Sequence, residues 1–122
     1  EGTRMKLYAI RVFVDDWDGA CNFYENILRM PLKFKDSNLG WAEFDIGGAS
    51  LGIELVAEDD EEGKSLVGRF MGISLQVENI ETTYEEFKEN GVQFTGTPQK
   101  QSWGGTLVHF KDPAGNILTL LG

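Results

Sequence analysis

The chain has 122 residues, 41% of them hydrophobic and 25% charged, and a formal net charge of −9 at pH 7. That length is one domain's worth, and no apolar run approaches the roughly 20 residues that span a bilayer. The acidic surplus argues against nucleic acid, which is bound mainly through Lys and Arg, and favours a cationic ligand. A single cysteine, Cys21, excludes an internal disulfide and reads as a small residue packed on a helix face, inert as a buried thiol is. With no basic and apolar leader, the expected location is cytoplasmic, and residues 1–4 read as a cloning scar or a frayed tail.

In chain order, alternating apolar residues predict a strand near residues 7–15, then a helix over about 17–29 capped by Asp16 or Asp18. Ala20, Phe23, Tyr24, Ile27 and Leu28 mark one face of that helix. After Pro31 the pattern turns to strand period near 32–35, 41–46 and 50–56, with Asn38, Gly40, Gly47 and Gly48 at the turns. The run Glu58-Asp59-Asp60-Glu61-Glu62 reads as a solvated linker. A strand near 69–78 then leads to a helix behind Asn79, with Ile80, Tyr84 and Phe87 as its buried stripe and Asn90-Gly91 as its stop. Strands near 93–95, 106–110 and 116–120 complete the chain.

The second half repeats the first. Ile10, Val12, Val14, Asp16 and Tyr24 superpose on Ile73, Leu75, Val77, Asn79 and Phe87 without a gap. The expected fold is therefore α+β, with two βαβββ modules in a pseudo-twofold repeat that forms a cup-shaped cavity. One domain, 1–122, holds a first module at 5–57, an acidic linker at 58–68 and a second module at 69–122, with about eight strands and two helices around a shared core.

Alternation assigns the walls. If Ile10, Val12 and Val14 face their helix, then Ala9, Arg11 and Phe13 face the cup, as do Gly72, Ser74 and Gln76 in the second copy. Leu51, Ile53 and Leu55 read as packing against the helix, which turns Ser50, Gly52 and Glu54 inward. Leu118 and Leu120 pack outward and Thr119 points in. His109 looks into the cup if its neighbour Phe110 packs beneath the sheet, and could serve as acid or base or as a hydrogen-bonded wall residue. Trp17 belongs to core or interface. Trp41 and Trp103 lie nearer the mouth, where aromatic rings either pack or grip flat and cationic ligands.

Val14-Asp15-Asp16 before the helix, Phe23-Tyr24 with Leu28, Gly91-Val92, Trp103-Gly104 and the block Phe110-Lys111-Asp112-Pro113-Ala114-Gly115-Asn116 resemble the vicinal oxygen chelate superfamily. That superfamily includes glyoxalase I, extradiol dioxygenases, fosfomycin resistance enzymes and bleomycin resistance proteins. The likeness covers almost the whole chain, and Arg29 departs from it where a Gly is common. It implies metal ligands on the first and last strands of each module, at positions held here by Ala9, Glu54, Gly72 and Thr119. One carboxylate cannot replace the three or four ligands such sites use, so no metal and no cofactor is expected. Glu54 is then a carboxylate in a cavity wall, free for a ligand or paired with Arg11.

The resemblance points to a metal-independent small-molecule binding protein of the bleomycin resistance type, a homodimer that sequesters a cationic or aromatic ligand. Glu54, Arg11, His109, Trp41, Trp103, Gln76, Ser74 and Thr119 are its candidate ligand-binding residues. The alternative is a lyase, isomerase or dioxygenase using Glu54 and His109 or displaced metal ligands. A third reading closes the cup with side chains and leaves only protein contacts.

Overall fold

The computed structural model describes residues 2–122; Glu1, within the tail read as a scar or frayed end, lies outside the described residues. In chain order its elements are β1 (Ala9–Val14), α1 (Trp17–Asn22) running on into a π-helical turn (Phe23–Ile27), β2 (Leu32–Asp36), β3 (Trp41–Asp45) and β4 (Ser50–Leu55). Then come α2 (Glu61–Lys64), β5 (Phe70–Gln76), α3 (Ile80–Glu89), β6 (Gln93–Phe94), β7 (Gln99–Lys100), β8 (Thr106–Lys111) and β9 (Ile117–Leu121).

Each helix starts where its sequence offers an Asx cap. Asp16, in extended conformation, accepts the Gly19 N–H at 3.1 Å, and Asn79 does the same for Thr82 at 3.0 Å. The first helix widens into a π turn in which Leu28 N–H reaches the Phe23 carbonyl at 2.9 Å. It ends at Arg29, a non-glycine residue at φ 60°, with Met30 N–H bonded back to the Tyr24 carbonyl. This seven-to-one bond is a Schellman-type stop widened by one residue through the π turn, and Arg29 holds the left-handed position that glycine fills without steric cost.

Two sheets result. The first runs β1-β4-β3-β2, with β1 parallel to β4 and the other neighbours antiparallel. The second runs β5-β9-β8-β6, again with its first and last long strands parallel, and β7 also pairs with β8. The helix sides of both sheets meet in one core: Val12, Val14, Phe44, Leu51 and Ile53 from the first, Val108, Phe110, Leu118 and Leu120 from the second. Phe23 lies between them, 5.3 Å from the Tyr24 ring and 6.5 Å from Phe110.

The two halves are also tied by a buried polar clamp. Tyr24 Oη donates to Asp112 Oδ2 at 2.7 Å, and Asn116 Nδ2 donates both to that oxygen and to the Phe13 carbonyl. Asn116 Oδ1 accepts the N–H groups of Gly68 and Arg69, while Asp112 Oδ1 accepts those of Ala114 and Asn116. Among the described residues, no buried side-chain polar atom lacks a partner. The turn Asp112-Pro113-Ala114-Gly115-Asn116 thus fastens the second half to the first.

Three details differ from the sequence reading. Leu55 is 44% exposed rather than packed under the helix, because the alternation breaks at the end of β4 and Val56 takes the buried place. The acidic stretch contains the short helix α2, capped by Asp60, which accepts the Gly63 N–H at 2.9 Å. The short strand β7 and that helix raise the element count from eight strands and two helices to nine strands and three α-helices among the described residues.

Candidate functional site

The face of the first sheet turned away from α1 is built from alternate residues of β1, β3 and β4. Register sets Trp41 opposite Glu54 and Glu43 opposite Gly52. A Cβ at Gly52 would overlap the Trp41 indole, so the missing side chain lets the ring lie flat across β4.

Glu43 is the central polar group of this face, only 7% exposed. Its Oε1 accepts hydrogen bonds from the Tyr8 hydroxyl and, at 3.1 Å, from Trp41 Nε1. Its Oε2 accepts from Ser50 Oγ at 2.9 Å, and Lys33 Nζ stands 3.8 Å away while donating to Ser50 Oγ at 2.9 Å. The hydrogen bond from Tyr8 is the main influence holding the Glu43 carboxyl below the usual range; burial opposes it, and Trp41, Ser50 and Lys33 reinforce it. The same bond raises the Tyr8 phenol, whose proton it employs.

Beside this cluster Glu54 is already engaged. Arg11 Nε and Nη2 donate to its two carboxylate oxygens at 2.8 and 3.2 Å, the paired alternative that the sequence left open. The Arg11 guanidinium also lies 5.2 Å over the Phe13 ring, and Arg69, at the start of the second half, lies 5.6 Å over the same ring.

The corresponding face of the second sheet holds the other candidates. His109 and Thr119 are register partners, joined by a 2.8 Å contact between Nδ1 and Oγ1, and Phe70 meets the imidazole edge-on at 5.5 Å. Phe110 beside it is fully buried on the opposite face. Ser74 pairs with Thr119, and both Ser74 and Gln76 are exposed along β5. Trp103 projects from the turn before β8, 65% exposed.

The candidates therefore form two groups. Arg11, Trp41 and Glu54 stand on one sheet; Ser74, Gln76, His109 and Thr119 stand on the other, and no hydrogen bond or ion pair among the described residues joins the groups. A cleft of about 730 Å³ beside β5 includes Ser74 and Gln76, but its walls are largely apolar, among them Ile10, Leu28, Ile73 and Phe87. Tyr8, Lys33, Glu43 and Arg69 were missed by the sequence reading. The signal for Glu43 was a lone carboxylate between the apolar residues Ala42 and Phe44, two places from Trp41 and so on the same face.

The donor set does not fit a divalent ion. Ala9 and Gly72 offer no side-chain ligand, Glu54 is bound to Arg11, and the Thr119 hydroxyl is in contact with His109. No cluster of three or more His, Cys, Asp or Glu residues with ligand geometry occurs among the described residues.

Fold and site together define a class: paired βαβββ units that present polar, aromatic sheet faces. Residues 6–120 match the model of the Glyoxalase/Bleomycin resistance protein/Dioxygenase superfamily, and the chain belongs to that family. It is 30% identical to the uncharacterised protein YraH of Bacillus subtilis (strain 168), over 95% of this chain and 97% of the relative. It is 28% identical to a bleomycin resistance protein of Klebsiella pneumoniae, over 87% and 83%. A solved superfamily member from Sphaerobacter thermophilus superposes with a TM-score of 0.80 at 29% identity, covering 97% of each chain. No helix among the described residues is long and apolar enough to cross a membrane.

Proposed function

We propose that this chain is a metal-independent small-molecule binding protein that sequesters a cationic or aromatic ligand and works as a homodimer in the cytoplasm. The observation that carries the reading is the state of the family's four ligand positions: Ala9 and Gly72 are inert, and Glu54 and Thr119 are already engaged by Arg11 and His109. The net charge of −9 and the likeness to a bleomycin resistance protein support a cationic ligand. Ligand contacts are assigned to Glu54, Arg11, Trp41, Trp103, Ser74, Gln76, His109 and Thr119.

A second copy supplies what one chain leaves open. Phe34, Phe70 and Trp103 are 48%, 59% and 65% exposed, and the wall residues are split between two sheets. Apolar side chains in that state are suited to an interface between copies, which would bring a wall of one chain against a wall of the next.

Thermal-shift screening with cationic glycopeptides and aromatic amines tests the reading: a saturable rise in melting temperature is expected, and no stabilisation by any of them at millimolar concentration would overturn it. Stoichiometric Zn, Mn, Ni or Fe in the purified protein would overturn metal independence. The enzymatic alternative, a lyase, isomerase or dioxygenase, has His109 in its favour, since the imidazole stands on the sheet face away from the core. It requires activity that collapses in Glu54→Gln or His109→Asn while the fold survives.

A further inference from the structure

A carboxylate offers about four acceptor positions. In Glu43, Tyr8 and Trp41 take both on Oε1 and Ser50 takes one on Oε2, so one position on Oε2 remains. Lys33 faces it at 3.8 Å, too far for a hydrogen bond, while its ammonium bonds Ser50 instead. The charge of Glu43 is therefore partly balanced and incompletely bonded.

Lys33 is also poorly anchored. Its strand β2 is an edge strand pairing only with β3, and the register slips between Leu32 and Phe34, so Lys33 occupies the irregular step. Its side chain is 47% exposed. Around the carboxylate stand aromatic surfaces: the Trp41 indole lies flat over Gly52, Phe34 is the register partner of Glu43, and Tyr8 is 65% exposed.

We propose that the open position on the Glu43 carboxylate receives a primary ammonium carrying a flat apolar group, and that Lys33 holds the ammonium's place in the free protein. A ligand ammonium would displace Lys33 Nζ, keep the bond to Ser50 Oγ and fill the remaining position on Glu43 Oε2. Its apolar part would lie against Trp41, Phe34 and Tyr8. This assignment rests on the binding function proposed above and names its cation subsite, made of residues distinct from Glu54 and His109.

The probe is phenethylammonium chloride, titrated into the full chain while the Trp41 indole N–H resonance is followed. That N–H donates to Glu43, whereas the indole of Trp17 is bonded to the Ile53 carbonyl and Trp103 is exposed in a turn. The expected result is a saturable shift of the Trp41 signal with the Trp17 signal unmoved. Removing the internal competitor in Lys33→Met tightens binding about fivefold or more, because less of the protein is then in the occluded state. Lys35→Met, the same charge change on the same strand at a lysine paired with Glu25, leaves affinity within about twofold, since surface charges act weakly at a distance. Glu43→Gln weakens binding about tenfold or more through loss of the charge-assisted bond.

Equal affinities for Lys33→Met and Lys35→Met overturn the proposal, as does a Lys33→Met protein whose Trp41 signal does not move. If Glu43→Gln fails to fold, the two lysine variants decide alone. Binding that perturbs only Trp103 or His109 overturns this subsite and leaves the binding function standing. A ligand screen with no hit fails the function itself.

Discussion

Cys21, in the last turn of α1, is 3% exposed, and burial pushes its thiol up to about 11, with Lys35 lowering it and Asp18 and Glu25 raising it. Since the thiolate is the reactive form, a disulfide reagent at pH 8 should label the native protein about 100-fold or more slower than a free thiol, with full labelling in denaturant. Fast labelling of the native state would show that this helix opens. Alternation made Glu54 legible on its strand, and the paired alternative with Arg11 is the one the structure holds. Glu43 stayed hidden because its importance lies in its donors. Tyr8 belongs to an extended segment before β1, and Lys33 reaches the carboxylate through an irregular register that no period announces.

At the scale of elements, caps and apolar stripes were legible because both depend on neighbours within a turn or two. Asp16 and Asn79 start their helices, and Ile80 and Tyr84 are buried where the 3.6-residue period puts them. The end of the first helix was less legible. The stop belongs to Arg29, exposed and at φ 60°, where a side chain is strained. Arg29→Gly should stabilise the protein by about 0.5–1 kcal/mol, the relief of strain exceeding the entropy that glycine adds to the unfolded chain. A melting temperature about 2–4 °C higher checks this, and a lower one would show that the Arg29 side chain has a stabilising contact of its own. Leu55 and Val56 show the limit of counting by twos: at a strand end the peptide plane turns and the buried place passes to the next residue.

Across the whole molecule, the two halves are joined through Asp112 and Asn116, which bond Tyr24, the Phe13 carbonyl and the segment at Gly68, beside a backbone bridge between Phe13 and Val67. Asn116 is fully buried, so Asn116→Ala strands several polar groups at once and should cost about 3 kcal/mol. Calorimetry should show one transition, lowered by about 10 °C, because the halves share a core and unfold together. Two separate transitions would mean that each half is stable without the clamp. The Phe110 to Asn116 block, which carries much of the family likeness, is thus a fastening as well as a turn. The repeated α+β architecture, the caps and the faces of the long strands are legible in the order of residues, because those follow from local spacing and chain chirality. Which carboxylates are engaged, and by what, emerges when the strands pair and the sheets fold together. Glu54 is bound by Arg11 across 43 positions and Glu43 by Tyr8 across 35, and pairings at that distance are set by strand register and side-chain reach, which no local pattern encodes.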